Sequence, residues 1–181
     1  VQYGWTRTDA PTIFAARRAG AVAQLNRVCG PPNADVDRVA ALLEPAVDAL
    51  AEPGRPLFAG LRAQWDDPSD GWTRLFLLGD MLREYRGDAH VCVWSTAGVD
   101  AIEIGLLTEA YMGLPLRSYI RTRGWDDAEL AAAMGRLRDR GWLDDAEALT
   151  ETGRAERETM ECATDGALRS AHQVLGNDID E

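Results

Sequence analysis

The sequence predicts a mainly α fold, and three observations lead there. Alanine-rich segments are punctuated by Gly and Pro, apolar residues recur at three- and four-residue spacings, and no clear run of alternating β-branched residues is present. At 181 residues and 46% hydrophobic composition, the chain can bury one good core or two small ones.

A first helix is predicted from about Pro11 to Val28, with proline at its start, where the missing N–H costs nothing. CGPPNAD breaks the chain, and a second helix follows from about Ala34 to Ala51. Val36, Val39, Ala40, Leu43, Val47 and Leu50 form its apolar stripe, and EPGRP ends it. RPLFAGLRAQWDDPSDGW holds a short helical piece and a polar loop. Trp72, Leu75, Phe76, Gly79 and Leu82 then mark a helix to Tyr85. Gly87 suits a left-handed C-terminal position, and Asp88 would cap a new helix running to Thr96.

From Val99 onward Asp100 and Glu103 have capping-box spacing before IGLLTEAYMG, and Gly113 marks the end of that helix. LPLRSYIRTRGW makes a second short helix. Asp126 and Glu129 repeat the capping box before a third, with Leu130, Ala133, Met134 and Leu137 on one face and Gly141 at the close. Trp142 and Leu143, the turn DDAE, and Ala148 to Thr150 fit a two-stranded hairpin. A long helix from about Glu151 to Leu175 follows, and GNDIDE reads as an acidic tail. Three helices, a small two-stranded wing and a long helix is the order of a winged helix-turn-helix. Two subdomains are expected: a helical one over 1–98 and the winged helix over 99–181.

RLRDRGWLD followed by ALTETGRAERE resembles the third helix and wing of the MarR group of bacterial regulators. GRPLFAGL, LREYRGDAHV, RGWDDAELAAAMGRLRDRGWLD, LTETGRAERETME and ATDGA together resemble an actinobacterial family of winged-helix, or helix-turn-helix, proteins of unknown function. The resemblance covers most of the chain from Trp5, matching the C-terminal two-thirds of longer members. It implies a MarR-like winged helix, DNA binding, and homodimerisation through the N-terminal helices and the long terminal one. Residues 83–90 read REYRGDAH where that family has close to REHRGDGH. Arg83, Glu84, Arg86, Gly87, Asp88 and His90 match, while Tyr85 and Ala89 depart. Without a histidine at 85 a two-histidine metal site is not expected, and no cofactor is implied.

Net charge works against DNA. The chain carries −11, and all 19 basic residues are arginine, with no lysine. Binding held by phosphates draws on many such contacts. A reading helix puts donors on its N-terminal turns, whereas this one begins Asp126, Asp127, Ala128, Glu129, and the wing carries Asp144, Asp145 and Glu147. Arg117, Arg121, Arg123 and Arg136, with Arg138 and Arg140, are the residues that would contact DNA in a regulator. The other reading of them is a solvated face paired with nearby acids.

Two further readings compete. Six tryptophans suit the walls of a pocket for a small, largely apolar molecule, with Arg86, Asp88, His90, Trp72 and Trp94 as candidate ligand-binding residues. An enzyme would use His90 as acid or base, Asp88 to orient it, Glu84 as a second carboxylate and Arg86 to hold an anionic substrate. Against the enzyme, no nucleophile elbow or phosphate loop is present. The structural alternative is that Gly87 and Asp88 end and cap helices while His90 makes one buried hydrogen bond. Cys29, Cys92 and Cys162 are read as small buried hydrophobes in a reducing compartment. No apolar run approaches the roughly 20 residues of a membrane span and no leader pattern opens the chain, so a cytoplasmic location is expected.

Overall fold

The computed structural model describes residues 2–176; positions 177–181 of the expected acidic tail lie outside them. In chain order the helices are α1 (Gln2–Trp5), α2 (Ala10–Cys29), α3 (Ala34–Asp48), α4 (Pro56–Arg62), α5 (Gly71–Thr96), α6 (Ala101–Tyr111), α7 (Asp127–Asp139), α8 (Glu151–Gly166) and α9 (Arg169–Leu175). A 3-10 turn, Ile120–Arg123, lies between α6 and α7. Polar side chains fix most of the starts. Asp9 accepts the Thr12 amide for α2, Asn33 the Asp35 and Val36 amides for α3, and the Thr150 hydroxyl the Gly153 amide for α8. Both capping boxes form, Asp100 with Glu103 and Asp126 with Glu129.

The described chain makes two compact units, residues 2–88 with 168–176, and residues 89–167. Residues 89–98 therefore group with 99–167, and 168–176 group with the N-terminal helices.

In the first unit Ala40, Val47 and Leu50 meet Phe58 of α4, Leu78, Met81 and Tyr85 of α5, and Ala171 of α9. Phe58 is fully buried with its ring edge-on to Tyr85 at 5.1 Å, which stabilises this unit by about 2–3 kcal/mol. Val36, Ala40, Val47 and Leu50 of the predicted α3 stripe are buried, and Val39 is exposed. No residue of α2 is buried; ion pairs from Arg17 to Asp80 and from Arg18 to Asp66 (2.9 Å) tie it down.

The break expected at Gly87 does not occur, because α5 runs without interruption through Gly87 and Asp88. Leu78, Leu82, Tyr85, Ala89 and Val93 keep helical spacing across the glycine, and the burial of that stripe outweighs the roughly 1 kcal/mol that glycine costs in a helix.

In the second unit Ile102, Leu106 and Leu107 of α6 pack with Leu130, Ala133, Met134 and Leu137 of α7, then Trp142, Leu143 and Met160. Three expectations are corrected here. The second short helix is only the 3-10 turn, since buried Glu109 draws the amides of Arg117, Tyr119 and Ile120 onto its carboxylate and bends the segment away from α geometry. No two-stranded wing forms; Leu143 and Leu149 share a single antiparallel bridge. Between them Asp144 accepts the Ala148 amide at 2.8 Å and Glu147 takes a left-handed backbone (φ 65°), so residues 144–148 make a tight turn instead of a ladder. The terminal helix is two helices. It stops at Gly166, and Leu168, Ala171 and Leu175 pack into the first unit's core.

All three cysteines are exposed rather than buried: Cys29 ends α2, which has no fully buried residue, and Cys92 and Cys162 lie on outward positions of α5 and α8. Among the described residues no single helix is long and apolar enough to cross a membrane.

Candidate functional site

On the unbroken α5, residues two apart point about 200° away from each other, so Arg86, Asp88 and His90 cannot all share one face. Asp88 is buried and already engaged. Its Oδ2 accepts the amides of Leu57 and Phe58, each at 3.0 Å, so it caps α4 instead of a helix of its own. His90 meets the Thr164 hydroxyl through Nδ1 at 3.1 Å. Thr164 gives its single proton to the Met160 carbonyl at 2.7 Å, which makes it the acceptor and His90 Nδ1 the donor. Arg86 and His90, four apart, share a face. Glu84 pairs with Arg83 at 2.5 Å. The Asp88–His90 dyad that an enzyme would need is therefore not assembled. Trp72 is buried and donates its indole N–H to the Gly30 carbonyl at 2.9 Å, while Trp94 packs against the second unit's core. Among the described residues no group of three or more His, Cys, Asp or Glu side chains is placed to hold a metal.

Of the arginines proposed for DNA, Arg117, Arg121, Arg136 and Arg138 are paired with carboxylates. Arg117 pairs with Glu147 at 2.8 Å, and Arg121 with Asp127 at 2.6 Å. Arg136 holds Glu103 at 3.0 Å and also Asp100. Arg138 reaches Glu147 at 3.3 Å. Arg123 stacks on Tyr119 and hydrogen-bonds its hydroxyl. Burial lowers the Arg136 pKa, but hydrogen bonds and charge from Glu103 and Asp100 overcome it and leave that pKa raised.

At the start of α7 the Glu129 carboxylate accepts the Asp126 amide at 2.9 Å and Asp126 accepts the Glu129 amide at 2.8 Å. The turn before it is organised by Glu109, fully buried on α6, whose oxygens take the amides of Arg117 (2.7 Å), Tyr119 (2.6 Å) and Ile120 (2.7 Å). Sequence reading missed Glu109. Its only signal was an acid among the apolar residues of IGLLTEAYMG, and its partners lie 8 to 11 positions further on.

A family model described as "Helix-turn-helix family" matches residues 1–181. The chain belongs to this helix-turn-helix family. No curated protein and no solved structure matches significantly. In this helix-turn-helix protein α7 stands where the sequence places the reading helix, and its first turn presents Asp126, Asp127 and Glu129.

Proposed function

We propose that this helix-turn-helix protein is a ligand-responsive module of regulator ancestry whose α7 is not used to read DNA bases. The observation that carries the reading is the first turn of α7. Two of its three carboxylates are locked in a reciprocal cap and the third is paired with Arg121, so the turn offers acceptors where a phosphate backbone demands donors. Repacking that turn for DNA would break the cap and strip Arg121 from Asp127.

Support for a small-molecule ligand comes from the first unit, where Trp5, Ile13, Phe14, Leu61 and Gln64 line an apolar cavity of about 260 Å³. Trp5 and Ile13 remain exposed there. Arg86 and His90 stay candidates for ligand contact on their shared face, whereas Asp88 has a structural task. Pairing of two copies through α2, none of whose residues is fully buried in one copy, belongs to the same proposal. Thermal shift against a panel of apolar metabolites tests the reading: stabilisation must grow with ligand concentration, and a broad panel without a responder would count against it.

The second reading, a DNA-binding regulator, is favoured by the family itself. It would use exposed Arg121 and Arg123 on the 3-10 turn, with Arg117 and Arg136, after release of the acids that pair with Arg117, Arg121 and Arg136. Gel shift with the protein's own upstream DNA at low salt separates the two.

A further inference from the structure

We propose that the second unit carries a site for a small monoanion with an aliphatic body, its carboxylate held by Arg154. The site is distinct from the first unit's cavity and goes beyond the reading above. A cavity of about 460 Å³ opens between the connection after α6 and the 144–149 turn. Ala110, Leu114, Leu116 and Leu149 form its apolar side, while Glu147 and Arg154 supply the charge. Leu114 is 47% exposed, an aliphatic side chain left facing the opening.

The charges there are unequal in what they have left to offer. Glu147 is matched by Arg117 and Arg138. The Tyr111 hydroxyl bonds Glu158, which raises its pKa, so the phenol stays neutral. Arg154 is different. Its guanidinium stacks on the Tyr111 ring at 5.5 Å and has no carboxylate partner among the described residues. A guanidinium stacked on a ring and short of an acid, beside an aliphatic wall, fits one carboxylate on an apolar body. A polyphosphate does not fit, because one guanidinium beside the Glu147 carboxylate, in a chain of net charge −11, cannot offset several negative charges. Because Glu147 ties the same turn to Arg138 on α7 and to Arg117, a ligand wedged there bears directly on the placement of α7.

The test uses octanoate as probe and octanamide as its neutral counterpart, titrated calorimetrically into the full chain. Wild type should bind octanoate saturably at one site per chain, with octanamide at least about tenfold weaker. Arg154→Gln and Leu114→Asp, both at exposed positions, should each lose about tenfold or more while keeping the wild-type melting temperature. Absence of saturable octanoate binding, equal binding of octanamide, or wild-type affinity in a folded Arg154→Gln would each overturn the site. None of these results bears on the panel that tests the first unit's cavity.

Discussion

Asp88 on α5 holds the amide of Phe58, thirty residues earlier in the chain, at 3.0 Å, and so pins the start of α4 to the long helix. Asp88→Ala would leave two amides at the N-terminus of α4 without their acceptor. We expect a loss of about 2 kcal/mol in urea unfolding, with an unchanged denaturant slope. Asp88→Asn keeps an acceptor oxygen and should lose about half as much. An Asp88→Asn loss as large as that of the alanine variant would show that charge, not the cap, is what matters.

The Asp80 carboxylate has a side chain only 3% exposed and accepts from both Arg17 (Nη2 at 2.7 Å) and Arg83 (2.7 Å). Burial pushes its carboxyl up, but the two guanidinium groups overcome that and hold it below the ordinary aspartate value. A folded-state pKa lowered in this way contributes stability that is fully present above the unfolded value near 4 and drains away as pH falls through the lower folded value. Stability measured against pH should therefore drop below about pH 4 in wild type, and Asp80→Asn should flatten that part of the curve. At neutral pH Asp80→Ala should cost about 1–2 kcal/mol, less than a fully buried pair, since Arg17 and Arg83 are 42% and 60% exposed and can return to water.

Glu109 takes three backbone amides into the core of the second unit. Glu109→Ala would orphan all three, and we expect at least about 3 kcal/mol of destabilisation together with loss of the turn before α7, visible as accelerated amide exchange at Tyr119 and Ile120. Glu109→Gln can keep the two bonds made by Oε1 and should lose markedly less. Equal exchange rates in all three proteins would contradict this assignment.

Gly153 lies where α8 crosses the backbone of Trp142. A Cβ added there would sit 2.2 Å from the Trp142 carbonyl oxygen, a backbone atom that cannot swing aside as a side chain would. Gly153→Ala is expected to destabilise by about 1–3 kcal/mol despite alanine's better helix propensity, read as a lowered melting temperature. A stabilised variant would show that the crossing relaxes freely.

Local rules in the sequence reached far into this fold. Asp100 with Glu103 and Asp126 with Glu129 carry their pairing within four residues, and the apolar face Leu130, Ala133, Met134, Leu137 is buried as spaced. What local rules could not show were partners chosen at a distance. Asp88 looked like the cap of the residues after it, yet its amides came from α4, so Gly87 stayed helical. Glu109 decided the form of LPLRSYIRTRGW from the preceding helix. Leu168, Ala171 and Leu175 continue a helical pattern after Gly166, but that pattern serves the core of the other unit. Of the candidate site, the acidity of α7 and the arginine positions were legible, while Arg154 was not, because only the folded arrangement stacks it on Tyr111 and sets it beside the aliphatic wall of the cavity.

We propose that the first turn of α7 is closed to DNA by its own carboxylates. A fluorescence anisotropy titration of the full chain against labelled duplexes from its own upstream region and against scrambled duplexes, at about 50 and 200 mM salt, tests it most directly. Weak binding that is indifferent to sequence is expected. A sequence-specific complex of about 10⁻⁸ M or tighter, lost on Asp127→Ala or Arg121→Ala, would contradict it.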